Sequence, residues 1–223
     1  MTSNGETVRA LLFDMDGVLV DSNPLHRVAW EEFNRRYGVE TTDEMHQRMY
    51  GKRNDEIVRD FFGESLSEAE VEARGRAKEA LYREMVAGKI EQLLLPGLRG
   101  ILEKYYYLPK ALVTNAEPGN VNFVLDGAEL RTAFHAIIDG HQVARPKPYP
   151  DIYLRAAELV GEKPQHCLVF EDSHSGVAAA VAAGMRVIGI TTTHVNLPGT
   201  CFTIDNFQNG KLASWLKAQC RPL

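Results

Sequence analysis

LLFDMDGVLVDS, residues 11–22, is the stretch on which the fold turns. With Ala10 it carries four apolar residues straight into Asp14, Met15 and Asp16, which reads as a buried strand ending in two carboxylates. Two such groups one residue apart repel each other, and moving either out of water is costly unless a cation or a proton offsets the charge. Something must therefore compensate them.

Working outward, short apolar runs recur at 111–113, 136–138, 167–170 and 187–190, with a further short strand expected at 202–204. Helix-like stretches separate most of them. That alternation predicts an α/β fold, a parallel sheet covered by helices on both faces. The pattern breaks between residues 22 and 92, where helical signals dominate and no comparable strand run occurs. An all-helical insertion after the first strand is expected, dividing the chain into a core of residues 1–21 and 93–223 and a helical unit of residues 22–92. Its first helix is expected to start with Asn23 as N-cap and Pro24 inside the first turn, and to carry His26, Trp30, Phe33 and Tyr37 on one face. A short helix should begin near Asn54 and stop at Gly63. The longest should run from a Ser67–Glu70 capping box towards Ala87. Tyr105, Tyr106 and Tyr107 are expected on partly buried helix surface before Pro109.

Composition narrows the function. A 44% apolar and 25% charged chain of 223 residues can bury a substantial core. The formal charge of -5 is mild, and with no basic stripe and no interleaved aromatics nucleic acid is excluded as a partner. Residues 1–10 hold no apolar segment, and no run approaches the roughly 20 residues needed to span a bilayer, so a soluble cytoplasmic protein without membrane contact is expected. Cys167, Cys201 and Cys220 have no metal-like spacing, and Cys167 reads as a small core residue. His174 reads as a surface or capping residue. Oligomeric state is left open.

In an open α/β sheet ligands bind outside the carboxyl ends of the strands. Asp14 and Asp16 follow the first apolar run, Thr114 and Asn115 the second, and Glu171 and Asp172 follow CLVF; Lys147 lies in the loop RPKPYPD. Four carboxylates on one rim need a cation, and carboxylate oxygens without His or Cys favour a hard ion, magnesium first. Mg²⁺ completes its shell with water and substrate phosphate, so the expected partner is a small phosphorylated metabolite. Asp14 is placed to act as nucleophile and Asp16 as general acid and base. Thr114 and Lys147 would hold the phosphoryl oxygens, aided by the first N–H groups of the helix opening at SHSGVAAAVAAG.

The set DMDGVLVDS, LVTN, RPKPYPD and VFEDS, in this order, resembles the haloacid dehalogenase-like superfamily, in the branch of small phosphatases and β-phosphoglucomutase with a helical cap after the first motif. The resemblance covers nearly the whole chain and is specific in combination, although LVTN or RPKP alone would mean little. It implies a Rossmann-like core, Mg²⁺ dependence, an aspartyl-phosphate at Asp14 and acid–base work by Asp16. It also implies metal ligation by Asp14, the Asp16 carbonyl and Asp172, with Glu171 a ligand or in the outer shell. Arg53 and Asn54 lie in YGKRND, where β-phosphoglucomutase has a phosphate-binding arginine, and the alignment puts Asn54 on that position.

Two readings of each cap residue stay open. His26 either meets substrate or packs against Trp30. Lys78 shares a helix face with Val71, Tyr82 and Met85, where a charge is out of pattern; it either snorkels to water or points into the cleft and helps the cap close. A mutase must grip two phosphates, whereas here the second motif continues as Ala116, Glu117 and Pro118, with a carboxylate on ground that should be cationic. A phosphatase is therefore favoured, with a β-phosphoglucomutase-type mutase as the alternative. A dehalogenase does not need the second aspartate, a phospho-accepting signalling module has no use for a large cap, and a structural protein leaves the acidic rim unexplained.

Overall fold

The computed structural model describes residues 7–220; part of the N-terminal stretch read above, residues 1–6, lies outside them. Six strands form one parallel sheet in the order β3-β2-β1-β4-β5-β6: β1 (Ala10–Phe13), β2 (Lys110–Thr114), β3 (Ala136–Asp139), β4 (Cys167–Glu171), β5 (Arg186–Ile190) and β6 (Phe202–Ile204). Alternate side chains build two cores, as the strand period of two requires. Leu11, Phe13, Leu112, Leu168 and Phe170 pack on one face, while Ala10, Leu12, Ala111, Val113 and Val169 pack on the other. The sheet is α/β and Rossmann-like, and β1 sits in its middle, between β2 and β4. The first strand therefore delivers its terminal aspartates to the point where the strand order reverses, the place where open sheets form a crevice.

Between β1 and β2 lie α1 (Asn23–Arg36), α2 (Asp43–Met49), α3 (Asn54–Phe62), α4 (Glu68–Val86), α5 (Ile90–Leu93) and α6 (Leu98–Lys104). A third apolar cluster joins α1 to α4 through Trp30, Phe33, Met49, Ile57, Val58, Phe61 and Val71. The Ser67–Glu70 capping box opens α4 with both reciprocal hydrogen bonds. After β2 come α7 (Pro118–Gly127), α8 (Asp151–Leu159), α9 (His174–Ala182) and α10 (Gly210–Gln219). No helix among the described residues is long and apolar enough to cross a membrane.

Local expectations fail in three places, each for a physical reason. Ser22, not Asn23, occupies the N-cap of α1, and no side chain caps it; the Asn23 amide is drawn instead to the acidic rim. Tyr37, the C-cap of α1, is half exposed, yet its ring packs on Phe33 at 5.1 Å, on the face expected of it. Helix α6 stops at Lys104, so the three tyrosines form its exit rather than its surface: Tyr105 is buried and Tyr106 exposed. Finally, β2 begins one residue early, at Lys110. The stem of that lysine is buried, and its ammonium donates to the carbonyls of Tyr105 (2.6 Å) and Leu108 (3.0 Å), which hydropathy alone could not foresee. Cys167 is buried in the core, as expected.

Candidate active site

Carboxyl ends of β1, β2 and β4 open into one cleft lined by Asp14, Asp16, Thr114, Asn115, Lys147 and Asp172, with His26, Asn54 and Lys78 facing them from the helical insertion. The tight turn after β1 depends on Gly17, at φ 79°, where a Cβ would collide with the Asp172 carboxylate. Gly17→Ala is therefore expected to cost about 1–2 kcal/mol in backbone strain alone. It should also displace Asp172, and loss of activity together with a lowered unfolding midpoint in urea would show both effects.

Lys147, expected to hold phosphoryl oxygens, is paired here with the acidic rim itself. Its buried ammonium donates to Asp14 Oδ1 (2.7 Å), Glu171 Oε1 (2.5 Å) and the Val113 carbonyl (2.9 Å). Between these carboxylates its own pKa is pushed up despite burial, which acts the other way. One lysine does not neutralise the rim. Burial first, then the Glu171 and Asp16 charges, push Asp14 up to about 7, even against the pull of Lys147. Asp172 is likewise raised well above the usual carboxylate range, by burial and by Asp14 and Glu171.

The three buried carboxylates of Asp14, Glu171 and Asp172 bring oxygens within 4.8 Å of one another. All are hard oxygen donors, the set that suits a magnesium-like cation. Their free lone pairs differ. Lys147 takes Oδ1 of Asp14, and Asn23 (3.0 Å) and Thr193 take Oδ2 of Asp172; no hydrogen bond among the described residues takes the other oxygen of either. Glu171 is saturated: Oε1 accepts from Lys147 and the Tyr153 hydroxyl (2.8 Å), and Oε2 accepts from the Asp172 and Ser173 amides and the Ser173 hydroxyl. Asp14 and Asp172 thus fit a divalent cation directly, while Glu171 fixes Lys147 and the loop that carries Asp172.

Asp16 points across the cleft. Its Oδ1 accepts from the Ser22 hydroxyl (2.6 Å) and stands 3.4 Å from His26 Nε2. Burial acts to raise its pKa, but the His26 contact and the Ser22 hydrogen bond hold it below the ordinary value. Lys78 is neither at the surface nor snorkelling: it is 1% exposed. Its ammonium contacts His26 Nδ1 (2.8 Å) and Glu79 Oε1 (2.7 Å), above the Trp30 ring. Because the ammonium must donate, His26 Nδ1 accepts and the ring hydrogen sits on Nε2, towards Asp16. The two open readings of His26 are both realised: it lines the cleft, and it stacks at 3.8 Å, on Tyr82 rather than Trp30.

Thr114 is buried beside Asp14, its hydroxyl accepting from the Ala116 amide. Asn115 ties the insertion to the core, donating to the Gly51 carbonyl (2.9 Å) while its Oδ1 accepts from the Lys147 amide. Arg53 turns from the cleft, to Asp55 and the Gly140 carbonyl, whereas Asn54 lines it. Glu117 is not an anion standing in the pocket: Arg83 donates to it at 2.6 Å and to Asn120 at 2.7 Å, so the charge argument drawn from it does not hold. His174 is exposed, its ring tilted against that of His194 with centroids 4.3 Å apart. Residues missed by sequence reasoning are Asn23, Thr193, Glu79, Arg83 and Asn120. Thr193 follows β5 and could have been found by the strand-end rule; the other four carry no local signal.

The haloacid dehalogenase-like hydrolase family model matches residues 8–184. Fructose-1-phosphate phosphatase YqaB of Escherichia coli is 30% identical over 83% of this chain and 97% of its own. β-Phosphoglucomutase of Bacillus subtilis is 27% identical over 82% and 83%. Among solved structures, CbbY of Rhodobacter sphaeroides in complex with xylulose-1,5-bisphosphate superposes with a TM-score of 0.78 at 27% identity, covering 90% of this chain and 95% of that one. The chain belongs to the haloacid dehalogenase-like hydrolase family.

Proposed function

We propose that this haloacid dehalogenase-like hydrolase is a Mg²⁺-dependent phosphatase that hydrolyses a small phosphate monoester, a sugar phosphate or similar metabolite, with residues 22–92 as its cap. One observation carries the reading: Asp14 and Asp172 each leave one carboxylate oxygen unclaimed beside a buried lysine, with Asp16 held across the same cleft. Asp14, the Asp16 backbone carbonyl and Asp172 would hold the cation, which when bound supplies positive charge against the acidic rim and the phosphoryl oxygens.

Asp14 attacks phosphorus; the bond from phosphorus to the ester oxygen breaks, and Asp16 gives that oxygen a proton. Water then attacks the aspartyl-phosphate, Asp16 takes the water's proton, and the acyl–phosphate bond breaks to release inorganic phosphate and restore the Asp14 carboxylate. The first half requires Asp16 to have taken up a proton from solvent, while the second uses it ionised, the form that its lowered pKa favours. Lys147, Thr114 and Asn115 surround the phosphoryl group, with Lys147 setting its position through Asp14. The test is phosphate release from a panel of phosphorylated sugars with Mg²⁺: turnover that persists in excess EDTA would overturn the reading. A mutase stays the second reading, favoured by the His26–Lys78 contact poised over Asp16. Isomerised glucose phosphate without free phosphate, from β-glucose 1-phosphate and a trace of bisphosphate, would decide for it.

Metal binding should also show in stability. Asp14, at about 7 against 3.8, and Asp172 hold protons more tightly when folded than when unfolded. Their contribution to stability is complete at low pH and is lost as pH rises through the folded values. A cation that binds the ionised carboxylates opposes this loss. Mg²⁺ should therefore raise the melting temperature more at pH 8 than at pH 5; an equal shift at both would count against the site.

A further inference from the structure

We propose that the leaving-group side of the cleft accepts a neutral, hydroxyl-bearing group and rejects a second phosphoryl group, and that Glu79 sets this choice. The inference rests on the phosphomonoester reading and adds the substrate's charge. Asp16 meets the leaving oxygen, and His26 reaches from Asp16 to the Lys78–Glu79 pair, so these groups stand where the rest of the substrate must lie.

Among the described residues, each buried lysine of the cleft already has a carboxylate partner. An ammonium has three protons. Lys147 spends its three on Asp14, Glu171 and a carbonyl. Lys78 gives two to Glu79 and His26, and lies 4.9 Å from the Trp30 ring centre. Arg83, which reaches from α4 to α7, is taken by Glu117 and Asn120 and does not line the cleft. Lys52 alone among the lining lysines forms no ion pair among the described residues, and it is exposed.

Glu79 is the opposite case. It is 3% exposed yet lines the cleft, with Oε1 held by Lys78 and Oε2 held across to the core by Asn120 at 2.6 Å. Lys78, His26 and Asn120 outweigh its burial and hold its pKa down to about 2, so it is fully ionised at neutral pH. A carboxylate offers about four lone-pair sites; two are occupied, and two remain for substrate hydroxyls. A second phosphoryl group would bring about two negative charges next to this carboxylate, in a buried setting where screening is weak, where Lys78 is already paired with Glu79 and the exposed Lys52 is the one lining lysine without an ion pair among the described residues.

Binding to the Asp14→Asn protein with Mg²⁺, read by calorimetry, tests this with matched probes: fructose 1-phosphate against fructose 1,6-bisphosphate, and glucose 6-phosphate against glucose 1,6-bisphosphate. The monophosphate of a pair is expected to bind at least ~10-fold more tightly. Adding Glu79→Gln, which removes the charge and frees Lys78, should close that gap by about 10-fold. Lys52→Met, at an exposed position where folding is not at stake, should weaken bisphosphate binding further and leave the monophosphate within about twofold. Bisphosphate binding as tight as or tighter than monophosphate in both pairs, a ratio unmoved by Glu79→Gln in a protein that still melts cooperatively, or binding of no probe would overturn the inference. Because the preference is read by binding, it stands or falls independently of whether the unsubstituted enzyme releases phosphate.

Discussion

Asp14→Asn is expected to lower Mg²⁺-dependent phosphate release by at least ~10⁴-fold, the scale of losing a nucleophile that works as part of a unit. The amide is close to isosteric and can still meet Lys147, but it lacks the negative oxygen that captures phosphorus. The fold should survive, and in metal-free protein at pH 8 should be somewhat stabler. The reason lies in the sign of the burial effect: Asp14 is raised to about 7, so its ionised form is a net cost to the folded state above that pH. A neutral side chain removes the cost. The pair of outcomes, activity gone and the melting temperature in EDTA kept or raised, distinguishes a catalytic carboxylate from a structural one. A variant that loses both would place Asp14 among the structural residues and overturn its assignment as nucleophile.

Removal of Lys147 should act on stability and activity together. Lys147→Met keeps the apolar stem but leaves the buried carboxylates of Asp14 and Glu171 without their cation. Breaking a buried pair by removing one partner costs about 3–5 kcal/mol, because an uncompensated charge remains. Without the lysine, Asp14 would hold its proton to still higher pH. The deficit should therefore be larger at pH 8, where the fold must bear the ionised group, than at pH 5, where Asp14 is already protonated. Urea unfolding in EDTA at the two pH values measures this directly. Phosphate release should fall by about 10²–10³-fold, as for other donors aimed at developing charge. A deficit that does not grow with pH would show that Lys147 is held mainly by its bond to the Val113 carbonyl.

These two residues also show how unevenly a chain displays its own design. Asp14, Asp16, Glu171 and Asp172 could be read directly, because they lie within three residues of the ends of short apolar runs and parallel strands present their carboxyl ends to one crevice. Lys147 could be read from its place in the loop RPKPYPD, as a charge for phosphoryl oxygens; that it pairs with Asp14 and Glu171 could not. The helices were legible through period and caps, down to the capping box of Ser67 and Glu70. None of these readings needs a distance between remote segments.

What the tertiary structure alone decided lies where such distances count. Glu171 and Asp172 are neighbours in sequence with the same charge, yet five donors saturate one and leave an oxygen of the other free. Lys78 is out of pattern on its helix until His26, Glu79 and Trp30 are brought around it. Glu117, which read as an obstacle to phosphate, is neutralised by Arg83 from a helix more than thirty residues away. Apolar periodicity and strand-end chemistry are local properties and are written along the chain. Whether a particular charge is paired, saturated or available depends on which segments the cap brings against the core, and that is settled by packing.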